Sequence, residues 1–259
     1  MHASPKDPTR RTALVAGLLY LLTFISIPIL ALYGPVTNHT DWILGTGTDT
    51  GVLIGAVLEL IVALAGIGTA VVLFPVVKRQ NEAAALGFTA TRILEAGIIF
   101  AGVFSLLAAV TLRHDVGGAT GADATALMAT GRSLVSFHDW TFLLGQSLMP
   151  VLNALLLGSL MLRSGLVPRI IPLMGLIGAP ILLASIVATY FGIIDQVGAV
   201  SVLATLPIFV WELSLGLYLT FKGFKRNAPL LATTAVAAPV ASTTAARAQA
   251  GITTPAGAA

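Results

Sequence analysis

The run VWELSLGLYLTFKGF, Val210–Phe224, decides the reading of the chain. It is mostly apolar on all sides of a helical projection, and it gives way to positive charge only at Lys222. A helix without a water-facing stripe belongs in a large core or in a membrane. One carboxylate, Glu212, sits inside this apolar run. Its neighbours at helical spacing are Ser201, Thr205 and Gly216, small side chains that let another helix approach, so Glu212 points into a bundle and away from lipid.

The rest of the chain agrees with the membrane reading. Hydrophobic residues make up 56% of the 259, charged residues only 10%, and the mean hydropathy is +0.94. Ordinary soluble domains carry about 25% charged residues. A bilayer core asks for about 20 apolar residues per helix. Six segments meet that length, at about 13–33, 52–75, 88–112, 141–162, 170–193 and 199–221. The expected fold is all-α, a polytopic bundle of six transmembrane helices, because helices satisfy backbone polar groups where water is absent. The longest connection, Arg113 to Trp140, reads as a loop with room for an interfacial helix at Ala122 to Phe137.

Charge sets the expected orientation. With the N-terminus inside, Lys6, Arg10, Arg11, Lys78, Arg79, Arg92, Arg163, Arg169, Lys222, Lys225, Arg226 and Arg247 fall on the cytoplasmic side, and only Arg113 and Arg132 fall outside. Retained loops carry the excess of Lys and Arg, so both termini are expected in the cytoplasm. Residues 1–12 then form a cytoplasmic N-terminal segment and 13–226 the membrane domain. Residues 227–259, rich in Ala, Thr and Pro, read as a disordered cytoplasmic tail. The basic residues are scattered between apolar runs, which argues against nucleic acid as a partner. The expected partners are the lipid bilayer and a second copy or another membrane protein. No cysteine, nucleotide loop, haem-attachment motif or dinucleotide fingerprint occurs, so no cofactor is expected.

Ionisable side chains inside spans cost about 2.5–3.5 kcal/mol on insertion scales, which makes them the candidate functional residues. Glu59, Glu95 and Glu212 meet that description. Glu95 has Arg92 three residues earlier, an arrangement expected to be a structural pair. Glu59 and Glu212 have no cation on their own span. Each is therefore expected to be neutral, bonded to a neighbouring helix, or holding a cation. The fourth span adds Asp139, Gln146 and Asn153 at heptad spacing, a polar stripe that could complete a cavity with the two glutamates. On the expected outer side, His39, His114 and His138 each have an aspartate within two residues, Asp139 among them. Imidazole plus carboxylate is a ligand set for zinc or iron, although no fixed ligand spacing accompanies it.

Three segments carry a resemblance: Thr91–Ala96 (TRILEA), Leu162–Arg169 (LRSGLVPR), and Trp211–Leu217 (WELSLGL) followed by Lys222-Gly223-Phe224. Over about residues 10 to 226, in order, they resemble the bacterial integral-membrane family catalogued as domain of unknown function 4386. The resemblance implies a six-helix bundle in a bacterial inner membrane and no particular activity. Function is thus left to the buried residues. The leading expectation is a non-catalytic membrane subunit or regulator whose glutamates fasten helices. The alternatives are a small proton- or cation-linked transporter using Glu59 and Glu212, which six spans would build as a homodimer, and a metal-dependent enzyme at the outer face.

Overall fold

The computed structural model describes residues 8–231. They form an all-α bundle with six segments long and apolar enough to span a membrane: Thr9–Asn38, Thr50–Val77, Glu82–Val116, Gly121–Ser164, Ile170–Tyr190 and Ala199–Phe221. The first is broken. Helix α1 (Pro8–Thr23) passes through a 3-10 turn at Phe24–Ser26 and Pro28 into α2 (Ile29–Asn38). Pro28 supplies no N–H, so the first helix cannot run through it undisturbed. A second 3-10 turn, Thr40–Leu44, leads to α3 (Thr50–Val77) and then α4 (Glu82–Val116).

The fourth segment differs from expectation. The helix expected at Ala122 to Phe137 within the long connection is present as α5 (Gly121–Thr141), but it is no separate piece: it continues through a π-helical stretch at Phe142–Leu148 into α6 (Met149–Ser164). Its low hydropathy keeps it out of a membrane-length count, yet Ala-rich sequence with Asp123 in the first turn forms helix readily when a neighbour covers one face. That neighbour is α4. At 1.5 Å per residue, α4 is about 52 Å long and the fourth segment about 66 Å, so both outrun a hydrocarbon core of about 30 Å. Their projecting ends enclose a small core with Tyr33, Trp42, Ile43 and Leu127. Arg113 fastens it, stacking 4.5 Å above the Trp42 ring and donating to the Trp42 carbonyl.

The remaining helices are α7 (Ile170–Tyr190) and α8 (Ala199–Phe221). Left-handed Gly165 stops α6, and left-handed Gly192 follows the end of α7, three residues short of the expected boundary at 193. Arg10 on α1 donates to the carbonyls of Leu219 and Thr220, satisfying groups that the end of α8 leaves open. The backbone N–H of Lys225 bonds Leu166, and Ala228 lies in the core. The first residues of the expected tail are thus packed, while 1–7 and 232–259 lie outside the described residues.

Candidate functional site

The small residues that share a helical face with Glu59 are buried together with it. In α3, Gly55, Glu59, Ala63, Gly66 and Ala70 are all buried. Glu59 is 1% exposed and Glu95 7%, whereas the Glu212 side chain keeps 17% of its surface. The three carboxylates belong to two separate polar clusters.

In the first, Arg92 of α4 lies between two acids. Its Nη1 donates to Glu95 Oε2 at 3.1 Å, and its Nη2 donates to Glu212 Oε1 on α8, also at 3.1 Å. Nη2 also reaches the Tyr20 hydroxyl of α1 at 3.4 Å, and the guanidinium lies 5.5 Å from the Tyr20 ring centroid and 5.8 Å from that of Phe88. Asn153 of α6 closes the other side: its Nδ2 donates to Glu95 Oε2 at 2.8 Å, and its Oδ1 accepts from Thr91 at 2.6 Å. One cation and its neighbours therefore join α1, α4, α6 and α8. The expected Arg92–Glu95 pair is present. The cation missing from the Glu212 span is supplied by another helix, which a count along one span cannot reveal.

In the second cluster, Glu59 of α3 is surrounded by donors. Tyr33 of α2 donates its hydroxyl to Oε2 at 2.9 Å, and Gln146 donates its amide to Oε1 at 2.6 Å. His138 Nε2 lies 3.3 and 3.4 Å from the two oxygens, and serving an ionised carboxylate requires that nitrogen to carry the proton. Two glycines make this closeness possible. A Cβ on Gly55 would strike the Tyr33 ring, and one on Gly102 of α4 would strike Thr141 and crowd the His138 ring. The π stretch turns the fourth segment so that Gln146 meets Glu59 while Asn153, seven residues on, meets Glu95. Pro150 contributes by offering no N–H to the carbonyl of Gln146.

The heptad stripe is thus divided between the clusters, with Asp139 at its outer end, 53% exposed and 3.8 Å from His138 Nδ1. The cavity that Glu212 lines does not include Glu59 among the described residues. A cavity of about 180 Å3 lies beside Glu212, lined also by Arg92, Glu95 and Gln146. Among the described residues, Gln146 alone both lines it and bonds the Glu59 side chain. A second hollow of about 320 Å3 is bordered by Tyr33, Asn38, His138, Asp139 and Gln196.

The histidines are not assembled. His39 borders the surface near Trp42, His114 pairs with Asp49 at 2.6 Å, and His138 is buried against Glu59. Among the described residues no group of three or more His, Asp or Glu side chains is placed to hold a metal ion. The hydrogen bond from His114 holds the Asp49 carboxyl below the usual carboxylate range. Tyr20 and Tyr33 escaped the sequence reading. The signal was available: a buried phenol needs an acceptor, and both tyrosines stand within the first apolar run.

No curated protein and no solved structure matches the chain. A family model does, over residues 15–223, which includes all six spans for most of their length and every residue of both clusters. The chain belongs to the family described as Domain of unknown function (DUF4386).

Proposed function

We propose that this protein is a non-catalytic membrane subunit or regulator of the bacterial inner membrane, and that its buried ionisable groups fasten the bundle together. The observation that carries this reading is the engagement of Glu59, Glu95 and Glu212 each by a donor from another helix: Arg92 on Glu212, Asn153 on Glu95, and Tyr33, His138 and Gln146 on Glu59. Glutamates that fasten helices need partners of this kind. In the orientation that retained positive charge favours, the Arg10 and Lys222 face is cytoplasmic and the projecting α4–α5 end lies outside.

The test is thermal unfolding in lipid nanodiscs. Removing Arg92 leaves two carboxylates without their cation, and breaking a buried pair in this way costs about 3–5 kcal/mol. Arg92→Met should therefore lower Tm strongly, and an unchanged Tm would remove the fastening role. A second reading, proton- or cation-linked transport, is favoured by one contact: Gln146 connects Glu59 to the cavity beside Glu212. Liposome flux that Gln146→Leu abolishes, in a variant that still folds, would support it over fastening alone.

A further inference from the structure

The two walls of the 180 Å3 cavity differ. Its apolar side is formed by Phe24, Ile27, Val62, Leu182, Ile208 and Phe209, with the Phe24 and Phe209 rings edge to face at 5.0 Å. Ile27 is 65% exposed and Phe209 36%, so this side opens sideways between the broken first segment and α8, at the level of the lipid. Its polar side is rich in acceptors. Glu212 spends only Oε1 on Arg92, and Oε2 accepts no hydrogen bond among the described residues. Gln146 gives its amide nitrogen to Glu59, and its oxygen likewise accepts nothing among them. The hydroxyls of Thr23 and Thr205 donate to carbonyls of their own helices, so toward the cavity they have lone pairs to give.

The charges point the same way. Arg92 is one cation against two carboxylates; both of its terminal nitrogens are already bonded, and its Nε, without a partner among the described residues, is buried. An anion would meet the unpartnered oxygen of Glu212. A ligand bringing one positive charge, several N–H donors and an apolar body would balance both walls. A volume of 180 Å3 equals about six water volumes, so the ligand's head is small and its apolar remainder extends toward the lipid.

We propose that this cavity binds a monovalent amphiphilic ammonium ion, which enters from the bilayer, donates to Glu212 and Gln146, and rests its apolar part against the Phe24–Phe209 pair. The site goes beyond helix fastening, since Glu212 Oε1 serves the helix contact and Oε2 the ligand.

The probe is 2-phenylethylammonium, measured by equilibrium dialysis against the full chain in nanodiscs with empty nanodiscs subtracted. Its uncharged counterpart 2-phenylethanol serves as control. The expected result is saturable binding of one ammonium per chain and no saturable binding of the alcohol. Glu212→Gln should weaken the ammonium about tenfold, through loss of a charge-assisted hydrogen bond. Thr205→Trp, at an exposed position on the rim, should fill the cavity and abolish binding in protein that still melts cooperatively. Should Glu212→Gln fail to fold, Thr205→Trp still decides. Equal uptake of the alcohol, undiminished binding by a folded variant, or no saturable binding above empty nanodiscs would overturn the site. Binding and Tm are separate readouts, so loss of the ligand site and loss of the fastening role are distinguishable.

Discussion

At the scale of single residues, the carboxylates differ in what satisfies them. Glu59 accepts from three side chains, so losing one donor is a partial loss. Tyr33→Phe should cost about 0.5–1.5 kcal/mol, the usual net worth of one hydrogen bond, read as a small drop in Tm. Glu59→Leu should cost more, because it leaves the Tyr33 hydroxyl, the Gln146 amide and His138 without an acceptor at once. Outside the spans, Asp49 offers a pH test. Its folded carboxyl titrates below its unfolded value because of the His114 hydrogen bond. The linked stability is complete above the ordinary carboxylate pKa and is lost as pH falls through the lowered one. In an NMR titration, His114→Ala should move the Asp49 midpoint back up; an unmoved midpoint would remove His114 as the cause.

At the scale of elements, the broken first span and the π stretch place the site. Gly55 shows how little room α2 and α3 leave each other: Gly55→Val should push Tyr33 off Glu59 and destabilise the protein by about 1–3 kcal/mol. The π stretch makes a sharper prediction. Each α-helical residue turns the chain by about 100°, so inserting one residue within 149–152, in the α-helix after the π stretch, cannot keep both Gln146 on Glu59 and Asn153 on Glu95. Such an insertion should lower Tm and speed proteolysis of the bundle, whereas a native-like melt would show that the register is unimportant. The spans were legible because apolar length is a local property. The helix within 122–137 was legible too, but its continuity with α6 was not, since its hydropathy falls below that of a span and it is α4 that covers one of its faces. The inward face of Glu59 was legible from small residues at helical spacing, whereas on the Glu212 face Thr205 is exposed. The partners of these two glutamates were not legible, because Arg92 meets Glu212 across 120 residues and His138 meets Glu59 across 79.

At the scale of the whole molecule, the bundle is held at two depths by polar clusters of different kinds. One is centred on a permanent cation, the other on a carboxylate ringed by donors. The native chain has no cysteine, which makes its orientation directly testable. With the basic face in the cytoplasm, single cysteines at Lys78 and Lys222 should be labelled by impermeant reagents only from that side, and one at Thr46 only from the other. Labelling of Lys78 and Thr46 from the same side would break the six-span arrangement itself. The most direct measurement is a double-mutant cycle between Arg92 and Glu212, with unfolding of Arg92→Met, Glu212→Leu and the double variant followed in nanodiscs. Direct pairing of α4 with α8 predicts a coupling energy within about 0.5–3 kcal/mol, the double variant losing less than the sum of the two single losses. Strictly additive losses would contradict the pairing.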